Sequence, residues 1–148
     1  MIHGIPRAPL LLGLAGVLPF AWGASTLLFP SLGTWGFANI GSRFVGPYVQ
    51  LFYGAVILSF MSGVLWGFAT KSARPSGYIL SVIPALWAFF MTGGSATAAS
   101  LNLIVGFLAL LLLDWHFWNL KAAPVWWFRL RLLLTSLVIL CLLPGAFL

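Results

Sequence analysis

Asp114 is the single carboxylate in a chain of 148 residues that carries seven Lys or Arg and two His. Acid–base chemistry on paired carboxylates is therefore excluded, and so is a carboxylate-rich metal site. Asp114, His3 and His116 are the bare minimum for a metal ion, and their spacing matches no ligand motif. His116 follows Asp114 by two residues, which on a helix turns the two side chains about 200° apart. With Trp115 and Trp118 beside it, His116 is read as an interfacial histidine in preference to a tetrapyrrole ligand. Cys141 is the sole cysteine and sits in an apolar stretch, so neither an intrachain disulfide nor a cysteine-rich metal centre is expected. The inventory points to a protein that is not an enzyme and holds no cofactor or metal.

The remaining polar residues read as structural or binding groups. Asp114 lies one to two turns inside the end of an apolar segment, where an ionisable group needs a partner. Arg129 and Arg131 open the next segment from the same side, which predicts an Asp114–Arg131 or Asp114–Arg129 ion pair, with Lys121 as the other candidate. Gln50 and Asn102 fall at similar depth, each about one turn inside the outer end of its segment, and a hydrogen bond between them is expected. With Arg43 close by, they could form a small polar pocket at the outer surface. Ala55, Ser59, Gly63 and Gly67 recur every four residues and form a strip with almost no side chain, a helix–helix contact expected to close within the chain. Lys71, Arg74 and Lys121 gather where anionic lipid headgroups would attract them.

These residues must be positioned by elements that live in lipid. Hydrophobic residues make up 62% of the chain and charged ones only 5%, against about 25% charged in a soluble domain. Eight charges cannot solvate a surface this size. The net charge of +6 is scattered singly between apolar runs and makes no nucleic-acid patch. A helix needs about 20 mostly apolar residues to cross hydrocarbon, and five segments qualify, at about 8–29, 47–70, 77–91, 97–120 and 126–147. Five crossings put Arg7, Lys71, Arg74, Lys121, Arg129 and Arg131 on one side and Arg43 alone on the other. The expected fold is all-α: one transmembrane domain over 1–148, a bundle of five helices with a cytoplasmic N-terminus and a periplasmic C-terminus. A retained first helix is preferred to a cleaved signal peptide, because Trp22-Gly23-Ala24 puts a bulky residue where cleavage needs a small one. The connection from Ser31 to Gly46, with Trp35, Phe37 and Phe44 among glycines, is read as a linker on the headgroups.

Several blocks resemble a family of uncharacterised small membrane proteins that includes the transmembrane protein 69-like proteins. They are Ile5-Pro6-Arg7-Ala8-Pro9, Tyr53-Gly54-Ala55-Val56-Ile57-Leu58-Ser59-Phe60 with Trp66-Gly67, Ser81-Val82-Ile83-Pro84-Ala85, and Arg129-Leu130-Arg131 with Leu134-Thr135. A His usually precedes the Trp-Gly pair in that family; here the position is Leu65. The resemblance implies a bacterial or mitochondrial inner membrane and supplies no activity. Together these features lead to the expectation of a non-catalytic accessory or assembly subunit of a larger complex in an energy-converting, respiratory or photosynthetic membrane. The expected partners are lipids and other membrane subunits. The alternative is a protein that binds or moves a small ligand or lipid through the outer polar pocket.

Overall fold

Proline and glycine set the helix limits in the computed structural model, which describes residues 3–72 and 74–148. Helix α1 (Arg7–Leu28) stops where Phe29 turns extended ahead of Pro30. Pro30 then occupies the first turn of α2 (Pro30–Ile40), a position that has no backbone N–H to lose. Gly41, at φ 97°, ends α2 in a conformation that a side chain would strain. A 3-10 turn (Ser42–Phe44) leads into α3 (Tyr48–Ala69), followed by α4 (Ser76–Met91). Helix α5 (Ala96–Asn119) is capped by Ser95, whose hydroxyl accepts the Ala98 N–H, and α6 is Trp127–Phe147. The segment expected to be a linker on the headgroups thus contains α2. Its first residues fold back on α1: a Cβ on Gly33 would stand 2.6 Å from Thr26 O, and one on Gly36 would stand 3.5 Å from the Trp22 ring.

Helix α5 ends in a Schellman-type turn. The Ala122 N–H donates to Phe117 O and the Lys121 N–H to Trp118 O, which holds Lys121 at φ 58°. Glycine is the usual residue there, since a Cβ is crowded in the left-handed region. Lys121→Gly should therefore raise stability by about 0.5–1 kcal/mol, after allowance for glycine's greater freedom in the unfolded chain. A denaturation midpoint measured in detergent checks the sign.

Leaving out α2, consecutive helices reverse direction, so α1 and α6 run parallel, as do α3 and α5. Helix α3 packs on α4 and α5, and α6 packs on α5 and α1. Phe20, Leu58, Leu65, Leu103, Phe107, Leu110 and Leu142 form the sealed centre. The outer faces carry Leu12, Phe60, Phe89, Leu112 and Leu140 exposed, which is the surface of a protein whose solvent is hydrocarbon. Four helices, α1, α3, α5 and α6, are long and apolar enough to cross a membrane, while α4 has sixteen residues, about 24 Å at 1.5 Å per residue. Pro84 breaks the regular bonding of α4. The Ala85 N–H just beyond it donates to Ser62 Oγ of α3 at 2.8 Å, the kind of neighbouring hydroxyl that makes proline tolerable in such a helix.

Candidate functional site: a buried ion pair and its surroundings

The α5–α6 hairpin brings the one carboxylate to a guanidinium. Arg131 Nε donates to Asp114 Oδ2 at 2.8 Å, and Trp127 Nε1 donates to Asp114 Oδ1 at 3.0 Å. Asp114 is wholly buried and Arg131 nearly so. Trp127 and Arg131 are four residues apart, so they present one face of α6 to Asp114. Arg129 points elsewhere, and its Nη1 donates to His3 O at 2.8 Å. The pairing expected with either arginine therefore resolves to Arg131 alone, because two residues of offset turn Arg129 off the α5 face. Lys121, at the tip of the turn, takes no part. The indole contribution was not anticipated, although the spacing of Trp127 to Arg131 was available in the sequence.

Gln50 and Asn102 do not meet in a hydrogen bond. Gln50 Nε2 donates to Phe20 O at 2.8 Å and to Cys141 O at 2.7 Å, tying α3 to α1 and α6. Asn102 Nδ2 donates to Met91 O at 2.9 Å, at the end of α4, where helix carbonyls lack partners. In return Trp87 Nε1 donates to Asn102 O at 2.7 Å. Arg43 lies over the Phe52 ring, 4.2 Å from its centroid. The polar pocket expected from Arg43, Gln50 and Asn102 is therefore dispersed. Each amide instead donates to backbone carbonyls of other helices. Gln50 Oε1 and Ser100 Oγ are buried without partners, and both face Gly145, where a Cβ would stand 3.5 and 3.1 Å from them.

The small-residue strip also corrects an expectation. Ala55 is half-buried, but Ser59, Gly63 and Gly67 are exposed, and a Cβ on either glycine would meet nothing within 4 Å. Helix α3 turns Gly54, Leu58, Met61 and Leu65 inward instead. Leu58, Met61 and Leu65 fill the centre, Gly54 admits Leu103 of α5, and the strip faces outward. Beside it a groove of about 420 Å³ between α3 and α4 is walled by Val56, Ala85, Ala88 and Phe89.

Six basic residues share the end of the bundle where α1 and α6 begin. Lys71 Nζ donates to Ala122 O at 3.1 Å across two connections, and Arg74 is exposed. Among the described residues no three His, Cys, Asp or Glu side chains cluster as metal ligands.

A family model described as "Protein of unknown function (DUF3429)" matches residues 5–147. Transmembrane protein 69 of Xenopus tropicalis is 33% identical over 144 residues, covering 93% of this chain and 53% of that protein. The chain thus spans about half the length of the curated relative it matches. No solved structure matches it.

Proposed function

We propose, from the premise that this chain belongs to the DUF3429 family of proteins of unknown function, that it is a non-catalytic accessory or assembly subunit of a larger complex. It is an integral membrane protein. In this reading α1, α3, α4, α5 and α6 are five crossings of a bacterial or mitochondrial inner membrane that converts energy. The N-terminus then lies on the cytoplasmic or matrix side with six of the seven basic residues. There Lys71, Arg74 and Lys121 meet anionic headgroups.

One observation supports the partner role: Ser59, Gly63 and Gly67 line an uncovered face of α3. In hydrocarbon, apolar surface alone drives no association, and close backbone approach at small residues is the main gain. Such a strip serves a helix from another subunit. The tie of Asp114 to Arg131 and Trp127 leaves no free carboxylate for catalysis.

Gentle extraction of native membranes followed by native electrophoresis should show the chain co-migrating with a larger complex. Gly67→Leu adds a side chain where nothing crowds it, so it should leave the bundle folded and release it from that complex. A C-terminal reporter should be active only on the outer side. A sharp free species from native membrane, or unchanged co-migration of Gly67→Leu, overturns the partner role; an inner-side C-terminus overturns the five-crossing topology.

A further inference from the structure

Between α1 and α3, with α6 as its floor, runs a groove of about 490 Å³, within the range of about 300–1,000 Å³ typical of ligand sites. Leu12, Gly16, Tyr53 and Phe60 line it, and Leu12 and Phe60 are exposed at its sides, so it opens laterally to lipid. Arg131 and Thr135 line this largely apolar space from α6, one turn apart, and Tyr53 Oη borders it from α3. Asp114 takes only Nε of Arg131, so the terminal nitrogens remain to donate. Thr135 is 2% exposed, and its hydroxyl has no hydrogen-bond partner. Ser25, Ser59, Thr92 and Ser136 each donate to the carbonyl one turn back, whereas Thr135, like Ser100, does not. A buried hydroxyl left unpaired is costly, which argues for a partner outside the chain.

We propose that this groove holds one acyl chain of an anionic glycerophospholipid from the leaflet on the cationic side of the bundle. The lipid's carbonyl oxygens accept from Arg131 and Thr135, and its hydrocarbon lies along Gly16 and Tyr53. Charge favours an anionic head. Six basic residues share the end of the bundle where the groove's Pro9 and Trp127 lie, and the sole carboxylate is already paired. The site uses residues other than the outward strip of α3, so its failure leaves the subunit reading intact, and the reverse holds.

The test is photolabelling of the whole chain in phosphatidylcholine vesicles that contain a little phosphatidylglycerol with a diazirine in one acyl chain. A second set carries the same diazirine chain on phosphatidylcholine. Label mapped by peptide mass spectrometry should concentrate on Leu12 and Phe60 over Phe89 and Phe90, which are also exposed. The anionic probe should label them about five-fold more per engaged cation than the zwitterionic one. Gly16→Leu projects into the groove, where a Cβ meets only Tyr53 Oη at 3.7 Å, and should abolish groove labelling. Thr135→Val keeps the shape and removes the hydroxyl. It should cut labelling about three- to ten-fold while leaving the melting temperature of the lipid-free protein unchanged or raised. Even labelling of Leu12 and Phe90, equal labelling by both probes, or an unaltered Thr135→Val protein overturns the proposal, as does loss of lipid-free stability in that variant.

Discussion

Asp114→Leu should destabilise the bundle by about 3–5 kcal/mol, read as a shift of the unfolding midpoint in a detergent titration. The carboxylate accepts from both Arg131 and Trp127 in a sealed position between α5 and α6. Its removal strands a guanidinium in a medium that cannot hydrate it, and leaves an indole N–H unpaired. The damage should therefore exceed the worth of the pair itself. Arg131→Met introduced on top of Asp114→Leu should recover most of the loss, because two apolar side chains of similar size need no compensation. Asp114→Asn should fall between, since its amide oxygen still accepts from Trp127. A double variant no more stable than Asp114→Leu would show that the pair does more than neutralise itself.

Gly23→Ala should cost about 2–4 kcal/mol from overpacking plus a lost interhelical bond. A Cβ on Gly23 would stand 2.4 Å from Gln50 Cγ and 2.9 Å from Val49 Cγ1. Gln50 cannot swing away without releasing the carbonyls of Phe20 and Cys141, so one methyl group on α1 loosens a tie that includes α6. Combining Gly23→Ala with Gln50→Ala should be markedly less harmful than the sum of the two, since the shortened side chain vacates the space the methyl needs. Strict additivity in the same unfolding assay would mean that the clash is absorbed elsewhere.

The helices were legible because hydropathy runs and their Pro or Gly punctuation are local signals. Pro30, Gly46-Pro47 and Gly93-Gly94 mark helix limits that follow from backbone sterics alone. Helix α2 escaped because Gly33 and Gly36 weaken its helical signal and its eleven residues are too few to cross. Rotation was the poorly legible quantity. A helix such as α3, apolar on every side, carries no phase to say which face turns inward. Four-residue spacing alone therefore points its strip of small residues to the interior, and depth alone pairs Gln50 with Asn102. Where a charge fixed the phase the reading went further: Asp114 required a cation from the helix returning beside it, and two-residue spacing left room for only one of the two arginines to face it.

The brevity of α4 has a consequence for the surrounding lipid. Taken as a crossing, its sixteen residues fall several ångströms short of a hydrocarbon layer about 30 Å deep. In that reading the bilayer thins or dimples along that flank, while α1 and α6 meet full-depth lipid opposite. Hydrophobic mismatch of this kind costs a fraction of a kcal/mol per ångström and sorts proteins among membranes of different thickness. With α4 as a crossing, one flank of this bundle would favour short-chain lipid, and a neighbour that covered α4 would relieve the deformation as it docked.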